Sequence, residues 1–263
     1  MLASWSAAAI GLRRTDAVAL PLNTISWGDG PRKALLLHGA SSSAEVWWRL
    51  GPDLAGLGFT AVAADLRGHG LSPRNGEWTE SDYRSDVLAM GGDWDVVAGH
   101  SFGGLLAVTA QAEAQDFAGA LVLEDPALRY RVTDEFLGWL EEEFAEPITV
   151  ERMRAARPEW DPQDVETKVR ALNAVGFQAI RDTFTSTGDI DAWATFGGLT
   201  VPRLLLAADP RKDALVAAED VAAARLLEGV EAMTIAGSSH SIHRDSYGAF
   251  WQATRDFVER HVP

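Results

Sequence analysis

The sequence contains no cysteine among its 263 residues. This absence excludes disulfide bridges, thiolate zinc sites, iron–sulfur clusters and a cysteine nucleophile. The sequence also lacks a run of about 18 uncharged apolar residues, which a membrane-spanning helix would need. It has neither a phosphate-binding loop nor a dinucleotide fingerprint, so we expect no organic cofactor. No pair of its histidines has the spacing of a metal site, so we expect no metal.

Positive charge is scarce. Lysine and arginine total 23 against 38 acidic residues, which gives a formal charge of -15 and a pI of about 4.7. Such a surface repels nucleic-acid phosphates and anionic lipid, so we expect neither nucleic acid nor membrane as a partner. In residues 1–14 the arginines follow the apolar run, the wrong order for a secretory signal, so we expect a cytoplasmic protein. No pattern indicates an oligomeric state.

Short apolar runs occur at intervals along most of the chain. They lie at residues 33–37, 60–64, 95–98, 120–123, 203–207 and 231–235. Continuous apolar strands separated by helix-length segments indicate a mostly parallel sheet covered by helices on both faces. The predicted fold class is therefore α/β.

The middle of the chain differs from the rest because it has no clear strand pattern. Phe136, Leu140 and Phe144 share one face at helical spacing, and Asp161 before Pro162 is typical of a helix start. We therefore predict a core made of residues 1–126 and 201–263, with residues 127–200 inserted as a helical cap.

One short motif indicates chemistry. The segment Gly99-His100-Ser101-Phe102-Gly103 follows an apolar run and precedes a helical pattern. A strand, a tight turn and a helix are the context of a nucleophile elbow, in which the serine Oγ is exposed at the carboxyl edge of the sheet. The backbone N–H of Phe102 would then face a developing oxyanion, and Ala40 after another predicted strand could supply the second N–H.

A serine hydroxyl needs a base to remove its proton and a carboxylate to orient that base. The candidate base is His240, which follows the last predicted strand, and His243 is its competitor. The candidate acids stand at the ends of predicted strands: Asp65, Glu124, Asp125, Asp209 and Asp213.

Together these motifs resemble the α/β-hydrolase superfamily. The matching pieces, in the order of that family, are His38-Gly39, residues 65–72, residues 99–104, and the His240 loop with the four residues after it. The resemblance covers nearly all of the chain outside the predicted cap. It implies Ser101 as nucleophile, His240 as general base, and the N–H groups of Ala40 and Phe102 as the oxyanion hole.

The acid is where the sequence departs from the common family pattern, which has an aspartate three residues after a glycine in the loop following the penultimate strand. The corresponding loop here, residues 207–213, brings Asp209 too early and Asp213 too late. Haloalkane dehalogenases and the zearalenone lactonase type instead place a glutamate just after the preceding strand. Glu124 resembles that glutamate in position. We expect Glu124 to be the acid, with Asp209 as the main alternative and Asp125 and Asp213 also open.

The resemblance implies a serine hydrolase that cleaves an ester or lactone through an acyl-serine intermediate. The net charge of -15 points to a small neutral or apolar substrate. We expect a pocket lined by His38, Trp47, Trp139 and Trp193, with other aromatic residues of the cap. A carbon–carbon bond hydrolase or a perhydrolase would use the same triad. A ligand receptor with slow turnover on the same fold is the alternative from another class.

Overall fold

The computed structural model describes residues 18–262, without the side chains of Trp139 and Glu143. The interpretation of residues 1–14 therefore lies outside the described residues. The strands are β1 Thr24–Trp27, β2 Arg32–Leu37, β3 Phe59–Ala64, β4 Val96–His100, β5 Leu121–Glu124, β6 Arg129–Tyr130, β7 Ile190–Asp191, β8 Arg203–Ala207 and β9 Val230–Thr234. The α-helices are α1 Leu50–Gly56, α2 Glu80–Ala89, α3 Phe102–Glu113, α4 Asp134–Phe144, α5 Val150–Ala156, α6 Pro162–Val175, α7 Phe177–Thr187, α8 Trp193–Gly198, α9 Ala218–Ala224, α10 Ile242–Asp245 and α11 Tyr247–His261.

Seven strands form one sheet in the order β1-β3-β2-β4-β5-β8-β9. All neighbouring pairs are parallel except β1 with β3. In the register, Leu37 lies opposite Gly99, Gly99 opposite Leu123, and Leu123 opposite Leu205. The carboxyl ends of the central strands therefore meet at one edge of the sheet, where the loops that follow them come together. The predicted α/β class and mostly parallel sheet are confirmed.

Helices cover both faces of this sheet because its strands are apolar on both sides. Leu35 and Leu37 pack in one buried cluster with residues of α2, α3, α8 and α9. Ala34 and Leu36, which alternate with them, pack in a second cluster with residues of α1 and α11. A strand that buries both of its faces reads as an uninterrupted apolar run, which explains why the sequence pattern located these strands.

The chain between β5 and β8 leaves the sheet and forms α4 to α8 with the small β6–β7 ladder. Helix α6 begins as predicted, with Pro162 in its first turn and Oδ1 of Asp161 accepting the N–H of Gln163 at 2.8 Å. That residues 127–200 act as a separate cap stays a prediction. Across residues 18–262, no helix combines the length and the apolar character needed to cross a bilayer.

Candidate active site

Ser101 occupies a sharp turn between β4 and α3. Its φ of 54° and ψ of -117° are unusual for a residue with a side chain. Two backbone hydrogen bonds to the segment at the end of β5 keep this conformation in place. The N–H of Ser101 donates to Glu124 O at 3.0 Å, and the N–H of Ala127 donates to Ser101 O at 3.0 Å. Strain that surrounding hydrogen bonds hold in place is typical of functional turns.

Two glycines make this turn possible. A Cβ atom on Gly103 would lie 2.3 Å from the carbonyl oxygen of Leu37, and one on Gly99 would lie 2.5 Å from the carbonyl oxygen of Gly103. Neither carbonyl oxygen can move freely, because each belongs to the backbone of a packed element. The glycines of the motif are therefore required because helix α3 packs directly against β2 and β4.

We expect Gly103→Ala to lower the free energy of unfolding by about 3 kcal/mol or more, because the new methyl group meets backbone atoms in a packed core. Denaturant titration followed by circular dichroism measures the change. Gly248→Ala is the matched control, since a Cβ atom there would have no heavy atom within 4 Å. Equal midpoints for the two variants would contradict this reading of the turn.

His240 lies on the loop between β9 and α10, and its ring contacts a buried carboxylate. Nδ1 of His240 lies 2.7 Å from Oδ2 of Asp125. Asp125 follows β5, is fully buried and has a positive φ of 36°. An Nδ1 that donates to a carboxylate leaves Nε2 as the nitrogen that can accept a proton. Asp125 therefore fixes the tautomer of His240.

The carboxylate of Asp125 is itself held by the backbone. Oδ2 accepts the N–H of Leu215 at 2.9 Å, and Oδ1 accepts the N–H groups of Ala208 and Val216 at 3.3 and 3.2 Å. Three amide donors orient the group and compensate for the water that it lost on burial. Its second oxygen is thereby positioned to accept from His240.

The backbone of His240 is fixed from two sides. Its N–H donates to Oδ1 of Asp213 at 3.0 Å, and its carbonyl oxygen lies 2.9 Å from Nε2 of His100. Burial, together with the nearby His240 and His243, holds the pKa of His100 well below its usual range. A neutral His100 with its proton on Nε2 can donate to the carbonyl oxygen of His240, so the residue before Ser101 positions the loop that carries the candidate base.

The acid predicted from the sequence requires a correction. Glu124 does not contact His240: its Oε1 accepts the N–H of His243 at 2.8 Å and lies 2.7 Å from Nδ1 of the same residue. The physical reason is the alternation of a strand, which turns successive side chains to opposite faces. The side chain of Glu124 points to the same face of the sheet as that of Val122, which is the face covered by α11. Asp125, one residue later, points the other way and contacts His240.

The alternative acids also lie elsewhere. Asp209 pairs with Arg211 at 2.7 Å and accepts the N–H of Gly237 at 2.8 Å. The Arg211 side chain holds the pKa of Asp209 well below its usual range. Asp209 is thus a loop cap. Asp213 accepts the backbone N–H of His240 and pairs with Arg157, but it makes no hydrogen bond to the His240 ring.

Glu124 and His243 form a second carboxylate–histidine pair, which is almost entirely buried. Burial raises the pKa of Glu124 to about 8, against the lowering effect of the His243 N–H. With His100 these residues bring three possible metal-ligand atoms within 4.8 Å of one another. Nδ1 of His243 already bonds to Glu124, and Nε2 of His100 to a carbonyl oxygen, so an ion would have to displace both contacts.

This raised pKa predicts a pH-dependent stability. Between pH 4.5, the ordinary pKa of glutamate, and about 8, folded Glu124 retains a proton that the unfolded chain releases, so wild-type stability falls as pH rises. One pKa unit corresponds to about 1.4 kcal/mol, so the full effect amounts to a few kcal/mol. We expect Glu124→Gln to gain several degrees in Tm relative to the wild type over this interval.

Differential scanning fluorimetry across the same pH range measures the difference in Tm between Glu124→Gln and wild type. Glu219→Gln at an exposed site is the control, and its difference from wild type should stay constant. A constant difference for Glu124→Gln as well would show that Glu124 ionises as easily in the folded chain as in the unfolded one.

Two backbone N–H groups remain available beside Ser101. Within residues 18–262, neither Ala40 nor Phe102 donates its N–H to any acceptor. The loop of Ala40 is held by His69, whose Nε2 lies 2.6 Å from the Ala40 carbonyl oxygen. Buried amides usually find a partner, so two such groups next to an unusual serine favour a role toward a ligand.

A cavity of about 330 Å³ opens above this edge of the sheet, and Ser101 and His240 both line it. Its volume is in the range of small-molecule sites. Its apolar wall consists mainly of Tyr130, Phe136, Leu140, Ile180, Phe184 and Leu215. Helices α4 and α7 supply most of this wall. Phe136 and Phe184 belong to the predicted cap, whose aromatic residues were expected to help line the pocket.

The individual residues predicted to line this pocket require a second correction. His38 is buried below it, where Nδ1 bonds to Gly39 O and Nε2 accepts the N–H of Leu66. Trp47 packs in the core beneath α11, and Trp193 packs on Phe196 against the opposite face. None of these three lines the cavity. The side chain of Trp139 lies outside the described residues.

Sequence reasoning missed two cationic residues of the cavity, Lys168 on α6 and Arg244 on α10. A signal was available for Arg244, which stands four residues after His240 and therefore near the loop of the candidate base. Lys168 had none, because only the packing of α6 over the sheet edge brings it to the cavity. Its Nζ donates to Oγ and to the backbone oxygen of Ser41.

Comparisons with known proteins place the chain in a family. The model of the alpha/beta hydrolase family matches residues 34–253. Lipase LipV of Mycobacterium tuberculosis is 39% identical over 103 residues, which are 38% of this chain and 39% of the lipase. N-formylmaleamate deformylase of Pseudomonas putida is 24% identical over 246 residues, which are 88% of this chain and 90% of the deformylase. The chain thus spans about two fifths of the length of LipV.

Solved structures show the same fold. An N-formylmaleamic acid deformylase from Pseudomonas putida S16 superimposes with a TM-score of 0.73 at 22% identity, covering 88% of this chain and 94% of the deformylase. An enol-lactonase from Burkholderia xenovorans LB400 also gives 0.73, at 18% identity, covering 90% of this chain and 96% of the lactonase. The family model extends over most of the chain, so the resemblance seen in the sequence is confirmed: the chain belongs to the alpha/beta hydrolase family.

Proposed function

We propose that the protein is a serine hydrolase that cleaves a carboxylic ester or lactone through an acyl-serine intermediate. Ser101 is the nucleophile, His240 the general base and Asp125 the acid. The observation that carries the proposal is the 2.7 Å contact between Nδ1 of His240 and Oδ2 of the buried Asp125, because His240 lines the same cavity as Ser101.

The reaction begins when Nε2 of His240 accepts the proton of Ser101 Oγ, and Oγ attacks the carbonyl carbon of the substrate. The negative charge that develops on the carbonyl oxygen is accepted by the N–H groups of Ala40 and Phe102. Asp125 stabilises the imidazolium that forms on His240.

The intermediate collapses when His240 donates its proton to the leaving alcohol oxygen, which departs and leaves Ser101 acylated. Water then attacks the acyl carbon while His240 again accepts a proton, and the carboxylic acid is released. Every proton passes through Nε2 of His240, so the fixed tautomer matters in both halves of the cycle.

The similarity to a lipase and to the fold of an enol-lactonase supports an ester or lactone as the substrate. The match to a deformylase over 88% of this chain supports a second candidate, cleavage of an N-formyl bond by the same residues. The apolar wall from α4 and α7 favours a substrate with a short apolar body.

The test is a panel of substrates of matched size: 4-nitrophenyl butyrate, a medium-ring lactone, an N-formyl amide and a 1,3-diketone. We expect the wild type to hydrolyse the ester or lactone fastest, with Ser101→Ala as the background. Faster cleavage of the diketone would favour the carbon–carbon hydrolase instead. Rates equal to those of Ser101→Ala on every substrate would overturn the proposal and favour a ligand receptor.

A further inference from the structure

The cavity beside Ser101 contains a buried positive charge that the proposed mechanism does not use. Arg244 is 5% exposed, lines the cavity and packs its guanidinium over the Trp160 ring at 4.9 Å. Burial lowers the pKa of Arg244 to about 10, so it is still a cation at neutral pH. A buried cation is costly unless a partner of opposite charge compensates for the lost water.

Such a partner is missing from the part of the chain that the structure describes. Among the described residues, no carboxylate oxygen lies within 4.0 Å of the Arg244 guanidinium. Its hydrogen bonds go to neutral hydroxyls, from Nη1 to Ser241 Oγ at 3.1 Å and from Nη2 to Ser42 Oγ at 3.4 Å. Its Nε is buried without a hydrogen-bond partner. A guanidinium with five donors is therefore only partly satisfied.

The nearby acids are engaged elsewhere. Asp164 pairs with Arg49 and accepts from Trp48, and Glu124 bonds to His243. Asp245 accepts the Trp160 indole N–H at 2.6 Å. Each of these acids thus has its own donor and is not a dedicated partner of Arg244.

A second cation lies on the same cavity wall. Lys168 donates from Nζ to Ser41, the residue after Ala40, while Arg244 reaches Ser42. Among the described side chains, the one acid that also lines the cavity is Asp213, which is exposed, pairs with Arg157 at 3.5 Å and accepts from the His240 backbone. The two cations thus place positive charge between the Ala40 loop and the His240 loop.

We propose that the cavity binds substrates that carry a carboxylate in addition to the bond that is cleaved, and that Arg244, assisted by Lys168, binds this carboxylate. The planar fork of arginine donates two parallel hydrogen bonds to a carboxylate. The inference rests on the proposed function and narrows it: a charged group replaces the wholly neutral substrate expected from the net charge of -15.

The test compares pairs of esters that differ only in this group. One pair places it on the acyl side, mono-(4-nitrophenyl) adipate against 4-nitrophenyl 6-methylheptanoate. The other places it on the alcohol side, 3-carboxyphenyl butyrate against 3-tolyl butyrate. We expect the wild type to prefer the anionic member of at least one pair by about 10- to 100-fold in kcat/KM, the equivalent of one charge-assisted contact.

Arg244→Met should bring the ratio of kcat/KM between the anionic and the neutral member of the preferred pair close to 1. Arg244→Lys keeps the charge and should retain part of the preference, which covers the case in which the methionine variant folds poorly. Arg154→Met, a change of the same charge at an exposed site on α5, should leave the preference intact. Equal rates within both wild-type pairs, or an equal loss for both members in Arg244→Met, would overturn the inference.

Binding separates this inference from the proposed function. Calorimetry of adipate and 3-hydroxybenzoate with Ser101→Ala needs no turnover, and we expect at least one to bind and to lose its affinity when Arg244→Met is added. Binding without hydrolysis of any ester would overturn the proposed function alone. Hydrolysis of neutral esters with no binding of either anion would overturn the carboxylate site alone.

Discussion

Asp125→Asn is expected to lower kcat for ester hydrolysis by about 10⁴-fold, the loss seen when the acid of such a triad is neutralised. An asparagine keeps the size of the side chain but can present its NH₂ to Nδ1 of His240, which then places the ring proton on Nε2. His240 in that tautomer cannot accept the proton of Ser101. The effect should appear in kcat and leave KM nearly unchanged.

Glu124→Gln makes the same chemical change one residue earlier and is the decisive comparison. Glu124 acts only through His243 and the loop after His240, so we expect a loss of about 10-fold at most. Both rates are measured on 4-nitrophenyl butyrate, with circular dichroism to confirm folding. A large loss in Glu124→Gln with little loss in Asp125→Asn would restore the acid predicted from the sequence.

Ser101→Ala is expected to have the largest effect, about 10⁶-fold in kcat, because no covalent intermediate can form without Oγ. Residual catalysis would come from the N–H groups of Ala40 and Phe102 and from binding alone. Ser241→Ala removes a hydroxyl from the same cavity and should cost less than about 10-fold, since that hydroxyl only accepts from Arg244.

The kcat values of both variants are measured on purified enzyme with a stopped-flow or fixed-time assay. More than about a thousandth of wild-type kcat in Ser101→Ala would mean that another group attacks the substrate. A loss in Ser241→Ala as large as in Ser101→Ala would mean that the cavity tolerates no change, and the assignment of Ser101 would lose its support.

Much of the fold could be predicted because its central strands bury both faces. Strands β2, β3, β4, β5, β8 and β9 each coincide with an apolar run to within two residues at either end. Strand β1 was missed, since it lies at the edge of the sheet, pairs antiparallel and alternates between exposed and half-buried residues. An edge strand of four residues has little apolar pattern to detect.

The part of the candidate site that a backbone motif defines was predictable. The part that depends on the direction of side chains was not. The residue types and spacing around Ser101 reflect a turn that only glycines permit, which a sequence displays directly. Glu124 and Asp125 are neighbours at the end of β5, and their side chains point to opposite faces of the sheet. A resemblance in sequence position cannot decide between two adjacent residues.

The pocket was the least predictable part. Tryptophans were chosen for their size, but Trp47 and Trp193 pack in the two cores. The cavity wall is set by the faces that α4 and α7 turn toward Ser101. How helices of the insertion dock depends on contacts between distant residues, which local periodicity does not encode.

The central claim is that Asp125 and His240 activate Ser101 as a nucleophile. A fluorophosphonate, which phosphonylates activated serines, followed by peptide mass spectrometry tests it most directly. We predict one adduct, on the peptide containing Ser101, formed rapidly in the wild type and in Glu124→Gln, slowly in Asp125→Asn, and absent in Ser101→Ala. An adduct on any other residue, or equal labelling rates in wild type and Asp125→Asn, would contradict the account.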